Sequence, residues 1–238
     1  MNTSSDLKAI IWDYDGTLAD TRQKNLNVTR SIIKDISRRD PDDISILKDV
    51  EKYHQATMKT SNWRKFYRDE FQLNEEQINE AGSLWTEYQL SDNTPVMVFD
   101  GIKQGLSSFG SIPQGIVSQN SKSNVSHHLE KEDLIKYFGF IVGYEEVEFD
   151  KQKPEPDGLI ICIEELIDLK SGVIFYIGDH ESDFECAMNA NSILRSTDLK
   201  IFSIGAFYGS EIDKSDWRVK PDYEALKVQD VFNIIKEF

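Results

Sequence analysis

Basic residues are scarce in this sequence. The 238-residue chain has only 27 Lys and Arg against 42 Asp and Glu, a formal charge of −15. Nucleic-acid backbones and anionic bilayers both need a positive surface, so this balance argues against either as a partner. Cysteine is nearly missing. Cys162 and Cys186 each stand in an apolar helical context, so buried free thiols are expected, and neither a disulfide nor a thiolate metal site. No apolar run is long enough for a membrane span, and the N-terminus has neither a basic n-region nor a long apolar h-region; the expectation is a soluble chain of a reducing, cytoplasmic compartment. The phosphate-loop pattern G-x-x-x-x-G-K-[ST] does not occur, which disfavours a nucleotide hydrolase or kinase of that kind. Internal repeats and low-complexity segments are absent. With 39% hydrophobic and 11% aromatic residues the chain is not disordered, and its length suits one large domain or a domain carrying an insertion.

What is present divides into two patterns. Ala9-Ile10-Ile11-Trp12 is a short, bulky, partly β-branched run that reads as a buried strand. From about residue 20 to 92 only helical signals follow. Asp20 with Gln23 three places on is a helix-start signature, and Arg38–Asp43 interrupts the periodicity. Further helices are expected over Ile44–Met58 and Ser61–Phe71 and after Asn74, whose Gln77 completes a capping box. Beyond the polar segment Ser91–Pro95, strands expected at Ile112–Val117, Phe138–Val142, Val173–Ile177 and Ile201–Ile204 alternate with helices. Such alternation predicts a doubly wound, parallel α/β sheet with an all-α insertion after the first strand.

Polar residues stand where the core strands stop. Asp13-Tyr14-Asp15-Gly16-Thr17-Leu18 follows the first strand, and two carboxylates there are costly unless a cation or a phosphoryl group compensates them. Gly16 permits a sharp turn that would bring backbone N–H groups towards whatever sits between the acids. Ser118-Gln119-Asn120 follows the second strand, Lys153-Pro154 precedes a helix, and Gly178-Asp179-His180-Glu181-Ser182-Asp183 follows a later strand. Asp179 and Asp183, four apart, would share a face of a helix. Each stretch alone also reads as a solvated turn, a helix cap or an exposed lysine. In open α/β sheets, however, ligands bind beyond the carboxyl ends of the strands, so the four converge on one crevice. Their residue types match phosphoryl transfer through an aspartate nucleophile with a divalent metal.

Asp13-x-Asp15-Gly-Thr17, Ser118, Lys153-Pro and Gly178-Asp179-x-x-x-Asp183 resemble, in order and spacing, the four motifs of the haloacid dehalogenase superfamily, and the helical insertion resembles the cap of its phosphoglycolate phosphatase-like members. The resemblance implies a Rossmann-like core over residues 1–19 and 93–238 and a helical cap over 20–92, with hinges near Ala19 and Asn93. It implies Asp13 as nucleophile and Asp15 as the acid that protonates the leaving oxygen and then activates water. It further implies Thr17, Ser118, Gln119 and Lys153 around the phosphoryl group. Mg²⁺ is expected on the side chains of Asp13 and Asp179 and the backbone carbonyl of Asp15, with Asp183 in support. His180 and Glu181 occupy variable positions and receive no catalytic part.

The implied partner is a small anionic phosphorylated substrate, phosphoglycolate-like or a sugar phosphate. The insertion suits it: 20–92 carries 12 of the 27 basic residues and a charge near −2, leaving about −13 elsewhere. Ser61–Arg68, mixing donors and aromatics, is the suggestive patch, although an amphipathic helix with a solvated face has the same composition. Two alternatives stay open at this level. A phosphomutase of the β-phosphoglucomutase type would use the same two aspartates, and a catalytically idle relative would act by binding.

Overall fold

The computed structural model describes residues 6–60, 62–168 and 170–238. The chain folds as two compact units. One comprises the residues up to Asp20 together with Val98–Phe238, and the other is Thr21–Met97.

The first unit is built on β1 (Leu7–Trp12). After β2 (Ala19–Asp20) and the second unit's chain, β3 (Met97–Val98) pairs with β2 in a two-stranded ladder. Before α5 (Ile102–Ser108) the second unit contributes four helices, α1 to α4, described below. Then follow β4 (Gln114–Val117), α6 (Lys122–Lys131), β5 (Phe140–Val142), α7 (Asp157–Leu166), β6 (Ser171–Gly178), α8 (Glu181–Ile193), β7 (Asp198–Ala206), β8 (Tyr223–Ala225) and α9 (Val228–Lys236). The main sheet is parallel throughout, in the order β5-β4-β1-β6-β7-β8. Both faces are covered, as a parallel sheet requires. Because strand side chains alternate, Ala9 and Ile11 of β1 join Ile174 and Tyr176 of β6 in one cluster with Leu159 and Ile163 of α7 and Ala187 and Ala190 of α8. On the other face Trp12 meets Phe232 of α9 at a ring distance of 5.7 Å, and its indole N–H donates to Gln114 Oε1 at 3.1 Å.

The order reverses at β1, which lies between β4 and β6. The carboxyl ends of these three strands therefore lie side by side, at the switch point where open α/β sheets bind ligands.

The second unit contains α1 (Arg22–Ser37), α2 (Val50–Thr57), α3 (Trp63–Phe71) and α4 (Glu75–Ser91). Its core gathers Ile32, Ile33, Leu47, Phe66, Phe71 and Ile78, and the Tyr53 and Tyr67 hydroxyls meet the Thr29 hydroxyl at 2.8 and 3.3 Å. Asn74 and Gln77 form the expected capping box. Two local readings are corrected, and one strand was missed. The residue capping α1 is Thr21, not Asp20, and it makes no side-chain capping bond. The stretch from Ile44 to Met58 is not one helix: a 3₁₀ turn over Ser45–Lys48 ends at Asp49, whose carboxylate accepts from Lys52 N at 2.9 Å and starts α2 anew. The strand β8 carried no signal, since three residues are too few for an alternation to register.

Ser61 lies outside the described residues. In the remainder of the patch the aromatic side chains Phe66 and Tyr67 are buried. Arg64 and Arg68 pair with Glu75, and Lys65 with Asp69. The cations are thus met on the helix surface by their own acids, the amphipathic alternative of the sequence reading. Exposed pairs of this kind are worth about 0–1 kcal/mol each.

No helix among the described residues is long and apolar enough to cross a membrane. Cys162 on α7 and Cys186 on α8 are both buried free thiols.

Candidate active site

Asp13 directly continues β1. Its N–H donates to Ile177 O at 2.7 Å, one step beyond the β1–β6 ladder. The alternation then keeps Asp13 on the face of Ala9 and Ile11, towards α7 and α8. Ser118 stands at the same level after β4, its N–H donating to Val142 O of β5 at 3.0 Å. Asp179 stands there after β6.

A buried lysine joins the acids. Lys153, from the loop before α7, is 5% exposed, and its Nζ donates to Asp13 Oδ1 and to Asp183 Oδ1, both at 2.7 Å. Carboxylate oxygens of Asp13, Asp179 and Asp183 all lie within 4.8 Å of one another. Burial, together with the carboxylates of Asp183 and Asp15, pushes the pKa of Asp13 up to about 7 although Lys153 opposes the shift. Burial and the neighbouring carboxylates, chiefly that of Asp13, hold Asp179 well above the usual carboxylate range. For Lys153 burial works against the charge, but Asp13 and Asp183 outweigh it and raise its pKa. Three buried acids share one buried cation, a charge balance that calls for further positive charge.

The turn after Asp13 is tight. Gly16 has φ of +73°, and a Cβ there would fall 2.0 Å from Asp179 Oδ2. Only a glycine at this position lets the two loops meet. The later amides of the turn close it on itself. Gly16 N donates to Ala19 O, and the N–H groups of Leu18 and Ala19 both donate to Tyr14 O; the turn consumes these donors internally. The turn also carries a hydroxyl, Thr17 Oγ1, that is buried with no hydrogen-bond partner among the described residues.

Asp179 and Asp183 do not share a helical face. Asp179 precedes α8, His180 is the N-cap with Nδ1 accepting from Ser182 N, and Asp183 is the third helical residue, with Oδ2 accepting from His180 N at 3.1 Å. Glu181 accepts from Val219 N at 3.0 Å and from Arg218 N, pinning the loop before β8. Gln119 turns to the chain beside the site, its Nε2 donating to Lys153 O at 3.0 Å. Ser118 Oγ accepts from Asn120 N at 3.0 Å, which keeps the hydroxyl proton available.

Two tyrosines escaped the sequence reading. Tyr176 OH donates to Asp183 Oδ1 at 3.0 Å from the interior of β6. Tyr208, after β7, donates to Thr17 O at 2.6 Å and so clasps the turn behind Asp13. A tyrosine buried in a strand usually finds a partner for its hydroxyl, and for Tyr176 that was the available signal.

The matching family model is that of the haloacid dehalogenase-like hydrolases, and it aligns with residues 10–193. The chain belongs to the haloacid dehalogenase-like hydrolase family. It is a hydrolase by that membership. A pyrophosphatase, PpaX, of Listeria monocytogenes is 20% identical over 234 residues, covering 97% of each chain. Among solved structures, a haloacid dehalogenase-like hydrolase from Streptococcus pneumoniae superimposes with a TM-score of 0.69 at 19% identity, covering 97% of this chain and 99% of that one. A subfamily IA hydrolase from Geobacter sulfurreducens gives 0.60 at 18% identity, with 96% of each chain covered. At these identities the solved structures speak for the fold.

Proposed function

We propose that this protein hydrolyses small phosphomonoesters with Mg²⁺, by way of a phosphorylated Asp13. The observation that carries the reading is Asp13 itself: a buried carboxylate at the end of β1, held by Lys153 and set beside Asp15, Asp179 and Asp183. The donor set is all oxygen, which suits a hard cation, and the crowding of buried acids supports one. Asp13, Asp179 and the backbone carbonyl of Asp15 would hold Mg²⁺. Asp183 already accepts from Lys153, Tyr176 and His180 N, so it serves to hold the lysine. Bound there, Mg²⁺ neutralises charge on the phosphoryl oxygens.

Asp13 Oδ2 is not engaged by Lys153, whose bond is to Oδ1. In the first step a carboxylate oxygen of Asp13 forms a bond to phosphorus as the bond to the leaving oxygen breaks, and Asp15 gives that oxygen its proton. In the second, Asp15 takes a proton from water as the water oxygen attacks the phosphorylated Asp13, releasing phosphate and restoring the carboxylate. Ser118 and Thr17 present hydroxyls to the transferring group, and Lys153 balances the charge that develops on it.

The test is phosphate release from a panel of phosphomonoesters, with phosphoglycolate, sugar phosphates and inorganic pyrophosphate included, in Mg²⁺ and in EDTA. Turnover that EDTA abolishes is expected. Folded, Mg²⁺-loaded protein that releases phosphate from no panel member would sink the proposal and leave a phosphomutase or a binding role.

The raised carboxylates set a pH dependence. Below about pH 4 the folded and unfolded chains both hold the Asp13 proton. Between the usual 3.8 and about 7 the folded state keeps a proton that the unfolded chain has released, so metal-free protein loses stability as pH rises through this window. Mg²⁺ displaces that proton, so its stabilising effect grows over the same range. Melting temperatures from pH 5 to 8 should therefore fall in EDTA and diverge upward in Mg²⁺; parallel curves would refute the assignment.

A further inference from the structure

Asn120 lies in the loop after β4, 2% exposed, and was read from sequence only as part of a short polar run. Its side-chain amide is fully specified by its neighbours. Asn120 Oδ1 accepts from Ser121 N at 2.8 Å and from Asn124 Nδ2 at 3.2 Å. Two donors on that oxygen fix which end of the amide is which. Nδ2 is thereby turned to Asp15, and it donates to Oδ1 and Oδ2 of that carboxylate at 3.3 and 3.2 Å. The scaffold under this contact is itself anchored. Asn120 O accepts from Tyr144 N at 3.1 Å and Asn120 N donates to Ser118 Oγ, while Asn124, first turn of α6 and also buried, has its N–H bonded to Ser121 Oγ at 3.2 Å.

Asp15 is only partly buried. A carboxyl group there rotates about two side-chain bonds unless something holds it, and a proton donor must lie within hydrogen-bond reach of the atom it serves. We infer that Asn120 is a positioning residue for Asp15: its amide straddles the carboxyl group and aims it at the leaving oxygen, and Asn124 sets the amide. This rests on the phosphomonoesterase reading and adds to it a residue that acts through Asp15 without touching the transferred group.

The inference makes a chemical distinction that a packing role does not. Leaving-group protonation matters for an ester whose alcohol is a poor leaving group and hardly at all for 4-nitrophenyl phosphate, since nitrophenolate departs without a proton. The ratio kcat/KM reports the steps through departure of the leaving group, so later hydrolysis of phosphorylated Asp13 does not enter it. A series of aryl phosphates from 4-nitrophenyl to phenyl phosphate, assayed in Mg²⁺, therefore isolates the proton transfer.

Asn120→Ala should lower kcat/KM for phenyl phosphate by about 10- to 100-fold, a fraction of what a general acid contributes, and for 4-nitrophenyl phosphate by less than about 3-fold. Its leaving-group dependence should steepen in the same sense as that of Asp15→Asn. Asn124→Ala, which keeps the Asn120 amide but removes one of the donors orienting it, should show the same selectivity to a smaller extent, and it carries the test should Asn120→Ala fail to fold. Equal losses across the series, or none, would overturn the inference while leaving the phosphatase reading intact. Wild-type protein that releases phosphate from no member of the series and from no ester of the panel would remove both.

Discussion

Asp13→Asn is expected to eliminate phosphate release, by on the order of 10⁴-fold or more, the scale on which removal of a covalent nucleophile is felt. The amide has the shape of the carboxylate, and its oxygen still accepts from Lys153, so the turn and the lysine should stay where they are. What it lacks is the negative oxygen that attacks phosphorus. The same change removes the carboxylate that, after burial, does most to hold Asp179 well above its usual range. In EDTA at pH 8 the variant should therefore melt no lower than the wild type, since like-charge repulsion is relieved as activity is lost. Activity and melting temperature measured on one preparation check both halves. A variant that keeps a tenth of wild-type turnover would exclude Asp13 as the nucleophile, and one that loses activity only because it has unfolded would be seen in the melt.

Lys153→Met is expected to cost both turnover and stability. Methionine fills nearly the same length of buried space, so the volume term is small. The electrostatic term is large. Lys153 is the cation that two buried carboxylates share at 2.7 Å each, and its own side chain is 5% exposed. Breaking a buried pair by removing one partner typically costs about 3–5 kcal/mol, because the remaining charge has no counter-charge. Here Asp13 has a way out, since its carboxyl can take up a proton. The deficit should then be modest near pH 5 and widen towards pH 8, where protonating it costs more. Urea unfolding in EDTA at the two pH values reads this out; a pH-independent deficit would mean that packing, and not charge, is what the lysine provides. Phosphate release should fall at all pH values, since the Nζ donor to Asp13 Oδ1 is lost.

The parts of the site that were legible in the sequence share a physical cause. Asp13, Ser118 and Asp179 each follow an apolar run directly, and a run that must be buried on both faces declares where its strand stops. Lys153 was legible because a proline follows it before a helical pattern. The orientation of those side chains was not legible. Nothing local tells that Lys153 reaches Asp13, 140 residues earlier, in preference to solvent, or that Gln119 turns to Lys153 O. The spacing of Asp179 and Asp183 suggested one helical face, but it was misleading because α8 begins between them. Likewise nothing local told that the N–H groups from Gly16 to Ala19 would be taken by the turn's own carbonyls.

Tyr176, Tyr208 and Asn120 mark the same limit. Each is ordinary in its local sequence: an aromatic inside a strand, a tyrosine after a strand, an asparagine ahead of a helix. Tyr208 and Asn120 acquire their parts from atoms that the sheet order β5-β4-β1-β6-β7-β8 brings close across 191 and 105 residues, and Tyr176 from an acid that the turn into α8 carries back to it. The sequence by itself determined the class of the fold and the residue types at the strand ends, because apolar periodicity, turn chemistry and the cost of burying charge act over a few residues; the family followed from the resemblance of its four motifs. Only the tertiary structure decided which carboxylate each donor meets and which hydroxyl is left without a partner, because those choices are made by packing between segments that the chain itself keeps far apart.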